Sequence, residues 1–331
     1  MLTKDKAKRF ATFLFLSICA FALAFFLGSC EDEQIESPDF PYVQGFSVNY
    51  IDVGNGDCIF IRFPDGKNLM IDCGARSDKN YKEITRFLDG YSIKSIDWLV
   101  LTHPDVDHVG NAEKIIKSYD VKNAFIPDVY AIEEYPTFFK TVNALNEKGV
   151  QTKISQMYTQ IATQDYFLAF LSPSSRGAGG YYGEFNALVQ PSDSAVNDLS
   201  PIIYLEYKSV RFLFTGDAGY KQEEILLENV NAGLIKAIHG DRVDLYDVDF
   251  LKVAHHGADD CTSEEFLQVV KPKYAVISVG AQNNYGHPSY VTLNRILECS
   301  QDVTILRTDV SGSITVGVDL DGDVSIIKQS D

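Results

Sequence analysis

Six histidines occur in the 331 residues, and five of them fall in three short segments. The densest is Thr102-His103-Pro104-Asp105-Val106-Asp107-His108, where four ligand-type side chains lie within six residues. An apolar run, Trp98-Leu99-Val100-Leu101, leads directly into it. A tight loop at the end of such a strand gathers these groups toward one point, and the donor set suits one or two divalent metal ions. Without a cation Asp105 and Asp107 would repel each other, so a merely solvated turn is the weaker account. The second segment, Val253-Ala254-His255-His256-Gly257, again ends an apolar run. Adjacent residues of a strand point to opposite faces, so both imidazoles can meet one centre only if the chain turns there. The third is Tyr285-Gly286-His287-Pro288. One acid, Asp217, stands in Phe214-Thr215-Gly216-Asp217-Ala218-Gly219, between glycines that let other groups approach closely. Alone it reads as readily as an Asx-turn. The sixth histidine, His239, is read as structural.

These segments need strands to hold them, and the apolar patterning supplies candidates. Strands are expected at 46–51, 57–63, 69–72, 96–102 and 121–125, with a hairpin turn at Pro64-Asp65-Gly66. Further strands are expected at 202–207, 210–215, 249–254, 274–279, 303–307 and 313–318. Helices are expected at 81–89, 112–118, 137–148, 222–227, 264–269 and 291–297. The mixture implies two sheets, each backed by helices. Residues 158–197, rich in Ser, Gly and Tyr, read as an irregular insertion that borders the cleft.

The first residues read as an address. Lys4, Lys6, Lys8 and Arg9 precede an apolar run from Phe10 to Leu27, then Leu27-Gly28-Ser29-Cys30. A single membrane anchor would account for this stretch, but small residues before a cysteine resemble a bacterial lipobox, in which that Cys becomes the lipid-modified N-terminus. The reading is a lipoprotein signal at 1–29, lipidation at Cys30, a tether at 30–41 and one domain at 42–331. It places the domain outside the cytoplasm, lipid-anchored to a bacterial membrane, with the outer membrane or cell surface favoured. The remaining cysteines, Cys58, Cys73, Cys261 and Cys299, form no CxxC pair and read as small apolar side chains. Formal charge is −17, and it becomes more negative once the basic leader is set aside. Such a chain has no global attraction for nucleic acid, so phosphate binding must come from a local site.

Taken together the segments resemble the metallo-β-lactamase superfamily, and in particular the extracytoplasmic hydrolase domain of ComEC-type competence proteins. The stretches that carry the likeness are Asp52-Val53-Gly54-Asn55-Gly56-Asp57, Leu69-Met70-Ile71-Asp72-Cys73-Gly74, Asp97 to Gly110, Phe214 to Gly219, Phe250 to Gly257, and Lys271 to Gly280 leading to His287-Pro288. They run in order over about 45–320. The resemblance implies an α/β fold, a four-layer αββα sandwich, with two divalent metal ions, zinc or manganese, at one edge of the sheets. It implies His103, Asp105, Asp107 and His108 as the first ligands, Asp217 as the bridge and His256 as the completing ligand, with His255 the rival for that place. His255 and His287 are the candidate catalytic groups, to bind phosphate or protonate a leaving oxygen.

Two departures matter. Asp105 stands where the lactamases have a second His, and ComEC-type sequences share that Asp. No His lies between His108 and His239, where superfamily members place another ligand, and Asn197-Asp198-Leu199-Ser200 falls in that segment. The donor set is therefore richer in oxygen, which makes manganese a rival to zinc and argues against β-lactam hydrolysis. The expected activity is phosphodiester hydrolysis by a metal-bridged hydroxide, with nucleic acid as one expected substrate. The alternatives are hydrolysis of another phosphoester, a thioester or a lactone, or a non-catalytic metal-binding surface lipoprotein.

Overall fold

A computed structural model describes residues 43, 45–129, 131–173, 196–299 and 302–329. The expected signal, Cys30 and the tether lie outside the described residues, as do residues 174–195 of the expected insertion.

Short β-rich runs build two sheets. The first contains β1 (Phe46–Tyr50), β2 (Ile59–Arg62), β3 (Asn68–Ile71), β4 (Ser95–Val100), β5 (Asp120–Ile126), β6 (Gln151–Ile154), β14 (Ile314–Val318) and β15 (Val324–Lys328), in the order β15-β14-β1-β2-β3-β4-β5-β6. The second contains β7 (Gln160–Ala162), β8 (Tyr166–Phe170), β9 (Ile203–Tyr207), β10 (Val210–Phe214), β11 (Phe250–Lys252), β12 (Tyr274–Ile277) and β13 (Thr304–Arg307), in the order β13-β12-β11-β10-β9-β8-β7. Strands β3 to β6 are mutually parallel, and so are β10 to β13. Parallel neighbours put their carboxyl ends on one edge, the usual place for a ligand site in such sheets.

Period-2 alternation sorts the side chains into two cores. Tyr166, Leu168 and Phe170 of β8, Ile203, Leu205 and Tyr207 of β9, and Phe212 and Phe214 of β10 face the first sheet, where they meet Phe46, Val48, Ile59 and Ile61. Phe46 stacks on Tyr207 at 4.8 Å between ring centroids, and Phe63 on Tyr166 at 4.1 Å. The intervening residues Phe167, Ala169, Tyr204 and Leu213 face a second core with Phe266, Leu267 and Ile296 of the helices Glu264–Val270 and Tyr290–Cys299. On the far side, Phe60 packs edge-on against Phe87 of helix Asp78–Gly90 at 5.7 Å. That helix starts because Ser77 accepts the Asn80 amide, and it buries Ile84, Phe87 and Leu88. The layers are thus helix, sheet, sheet, helix: the expected αββα sandwich.

The expected irregular stretch at 158–197 is corrected at its start, where β7 and β8 form a hairpin. Tyr166-Phe167-Leu168-Ala169-Phe170 is apolar on both faces and fully buried, as a central strand requires. Strand β11 is shorter than the expected 249–254, because the chain turns after Val253. Strands β6 and β15 and the helices Val106–Val109 and Leu234–His239 are additions to the expected set. All four residues of β6 are exposed, so the strand carries no apolar signal.

Candidate metal centre

The carboxyl ends of β3, β4, β10 and β11 carry Asp72, His103, Asp217 and His255-His256 to one edge. His103 follows β4 by three residues. The next turn is a short helix, Val106–Val109, whose first carbonyl, that of Asp105, accepts the amides of His108 and Val109. This turn brings His108 back beside His103, with ring centroids 4.1 Å apart. Gly56 packs beneath it: with φ +132°, it lies where a Cβ would come within 2.2 Å of the Asp107 carbonyl oxygen.

The histidine pair solves its geometry by leaving the strand. His255 (φ 46°, ψ 47°) and His256 (φ 54°, ψ 20°) both take left-handed backbone, at a cost of about 1–3 kcal/mol each. The His255 amide is held by the Gly216 carbonyl at 3.1 Å, and the Ala258 amide donates to the His255 carbonyl at 2.8 Å. The turn points both rings at the centre, which a continuing strand forbids.

Four imidazoles share one arrangement. Each has its Nδ1 against an oxygen and its Nε2 toward Asp217 Oδ2. His108 Nδ1 donates to Asp72 Oδ2 at 2.8 Å, and its Nε2 lies 3.1 Å from Asp217. His256 Nδ1 donates to the Ser278 carbonyl at 2.9 Å, and its Nε2 lies 3.6 Å from Asp217 and 3.5 Å from Asp107. His103 Nδ1 donates to Thr102 Oγ1 at 3.1 Å, since that hydroxyl already gives its own proton to Asp72 at 2.6 Å. The Nε2 of His103 lies 3.8 Å from Asp217 and 3.7 Å from Asp105. His255 Nδ1 donates to Asp260 at 3.1 Å, with Nε2 at 4.0 Å from Asp217. An acceptor on Nδ1 fixes the tautomer, so that each ring when neutral offers its Nε2 lone pair, the arrangement found behind metal-binding histidines.

Among the described residues three donor groups overlap at His108: His103, His108 and Asp217; Asp107, His108 and His256; and, on the Nδ1 side, Asp57, Asp72 and His108. The buried atoms His103 Nε2, His256 Nε2 and Asp217 Oδ1 have no hydrogen-bond partner among the described residues. Two orphaned imidazole nitrogens and an orphaned carboxylate oxygen, beside His108, fit a divalent cation. His255 is more exposed than His256 and is tied to Asp260 at the surface, so the geometry favours His256 as the inner member of the pair.

The electrostatics follow from burial and charge. Desolvation, with repulsion from His108, pushes His103 down to about 3, so it is neutral. Desolvation opposes charge on His108 as well, but Asp217 and Asp72 on either side outweigh it and hold its pKa well above the usual value. Burial works against ionised Asp217 too, yet the surrounding imidazoles, His108 first, keep its carboxyl well below the usual range. At the rim, burial would lower His255, but the Asp260 bond and the charge of Asp217 raise it, while burial lowers His287.

His287 sits one step outward, its ring 5.5 Å from that of His255. His239 lies elsewhere, packed edge-on to Phe167 at 6.4 Å. In the segment where the superfamily places another His, Ser200 is the group nearest the cluster: its hydroxyl is 3.3 Å from His103 Nδ1 and accepts the Asp217 amide at 3.2 Å. Asp198 instead accepts the Gly219 amide at 3.0 Å and supports the turn that carries Asp217. Gly216 (φ +51°) in that turn leaves no room for a side chain, with Ser200 Cβ 2.9 Å from where a Cβ would be.

Three supporting residues carry no role in the sequence reading: Asp57, Asp72 and Lys252. Lys252 is fully buried, and its Nζ meets Asp57 Oδ2 at 2.7 Å and the Val253 carbonyl at 2.9 Å. The pair ties β11 of one sheet to the loop before β2 of the other, beside His256. A lysine inside the apolar run Phe250-Leu251-Lys252-Val253 is itself a signal, because a buried charge requires a partner.

Residues 51–145 match the model of the metallo-beta-lactamase superfamily. "ComE operon protein 3" of Bacillus subtilis (strain 168) is 31% identical over 282 residues, covering 81% of this chain and 32% of that protein. "Competence protein ComA" of Neisseria gonorrhoeae is 25% identical over 272 residues, covering 82% and 32%. The chain therefore spans about a third of the length of these curated relatives. Among solved structures, the metallo-beta-lactamase fold protein YhfI from Bacillus subtilis is 10% identical with a TM-score of 0.46, covering 84% of this chain and 99% of that one. The chain carries a domain of the metallo-β-lactamase superfamily, with that fold, and resembles the corresponding part of ComEC-type competence proteins.

Proposed function

We propose that this chain is a metal-dependent phosphodiesterase that acts outside the cytoplasm, held to a membrane by lipid on Cys30. The observation that carries the reading is the convergence of four Nδ1-anchored imidazoles on Asp217, with Asp105 and Asp107 alongside. His103, Asp105, Asp107, His108, Asp217 and His256 would hold two divalent ions, zinc or manganese. When bound, such ions activate water at neutral pH and offset charge on phosphoryl oxygens. Asp72 and Thr102 keep His108 and His103 in the ligating tautomer. His255, braced by Asp260, would give its proton to the leaving oxygen, and His287 would hold the phosphate. The export reading rests on Lys4 to Arg9, the apolar run and Leu27-Gly28-Ser29-Cys30. Among the described residues no helix is long and apolar enough to cross a membrane.

Net charge of −17 favours a short phosphodiester over a long polynucleotide, which requires a basic groove. The test is hydrolysis of bis-p-nitrophenyl phosphate by the metal-loaded chain beside Asp107→Ala, with a thioester and a lactone in the same panel. Phosphodiester turnover that disappears in the variant supports the reading. Turnover of the thioester or lactone alone would replace it with another hydrolase, and no turnover of any would favour a metal-binding role.

A further inference from the structure

We infer that Tyr285 is a stacking platform for the base of a nucleoside phosphodiester whose phosphate lies at the metal centre; this rests on the phosphodiesterase reading. A ladder of rings leads outward from the ligands. His255 Nε2 is 4.0 Å from Asp217, the His287 ring is 5.5 Å from that of His255, and Tyr285 stacks on His287 at 5.8 Å with an interplanar angle of 9°. His287 thus lies parallel to the tyrosine ring and beside it. The residue is 72% exposed, so most of the ring is open to solvent. An aromatic ring so exposed forgoes most of its own burial, and its open surface offers that area to a ligand.

The platform is held in place rather than hung on a loose loop. Asn283 Nδ2 donates to the carbonyls of Gly280 at 2.9 Å and His287 at 2.8 Å. Its Oδ1 accepts the amides of Tyr285 at 3.2 Å and His287 at 3.0 Å. The Ser289 amide donates to the Gly257 carbonyl at 2.8 Å, which fastens the same loop to the His255-His256 turn. A ring fixed before binding loses little entropy when a ligand arrives. Across the loop's chemistry, Val106 stands half exposed between Asp105 and Asp107, so the ligand segment also presents apolar surface. The chain is acidic overall, with a net charge of −17, and base stacking supplies affinity that does not depend on cationic charge. A nucleotide carries its planar base one sugar away from the phosphate, which matches a phosphate near His287 and a base on Tyr285.

The test compares two esters with the same leaving group, thymidine 5′-(p-nitrophenyl phosphate) and methyl p-nitrophenyl phosphate, on the metal-loaded full chain. The thymidine ester is expected to be preferred by about tenfold in kcat/KM. Tyr285→Ala removes that preference and Tyr285→Phe retains it. A ratio unchanged in Tyr285→Ala overturns the inference, including the case where both rates fall together. If the unaltered chain hydrolyses neither ester, the phosphodiesterase reading fails. Calorimetric titration with thymidine 5′-monophosphate then decides the stacking: Tyr285→Ala weakens binding about tenfold if the inference holds, and equal affinity overturns it.

Discussion

On the floor of the site, His108 lies between Asp72 and Asp217, all three buried, and its anchor comes from the end of a neighbouring strand. At the rim, His255 is 27% exposed and its anchor, Asp260, is 51% exposed and only five residues away. The same Nδ1 device serves both places, but its support differs. The floor inherits its geometry from strand pairing across the sheets, so its parts move only if the core moves. The rim is set by local turns, at 255–260 and 280–289, held mainly by hydrogen bonds within and between the turns. A floor of this kind suits a fixed charge such as a metal ion, and a rim built from local turns suits the choice of substrate.

Lys252→Met strikes the floor hardest. It leaves Asp57 as a buried, unpaired charge, with an expected loss of about 3–5 kcal/mol in urea unfolding. The double variant Asp57→Asn/Lys252→Met recovers most of that loss. Equal losses in both would show that the ion pair is not what joins the sheets there. His255→Gln strikes the rim. It should lower hydrolysis about 100-fold while metal content stays the same; loss of metal with activity would place His255 on the floor instead. Asp72→Asn gives the smallest effect: it removes the charge behind His108 Nδ1, while the remaining amide oxygen still accepts from Thr102. Metal affinity should fall about 10-fold with unfolding little changed, and an unaltered affinity would remove Asp72 from the account.

The floor and the rim were unequally legible in the sequence. His103 to His108 and His256 each end an apolar strand, and that pairing of a hydrophobic run with polar donors is visible locally. The strands that make most of the core, such as 46–51 and 202–215, carried enough alternating or continuous apolar pattern to be placed within a few residues. The turn that aims His255 and His256 together was not visible, because left-handed backbone at two histidines has no composition signal. Asp57, Asp72 and Ser200 act through partners far along the chain: Asp57 meets Lys252, and Ser200 meets His103. Such contacts exist only once the sheets have stacked. Strand β8 was legible in principle from its apolar run, but the Gly- and Ser-rich residues after it drew the boundary too early.

The most direct test of the metal centre is elemental analysis of the full chain after reconstitution with zinc or manganese, beside Asp217→Ala. The account predicts about two ions per chain, with most of the metal lost in the variant. A chain that binds no metal under either condition would contradict it.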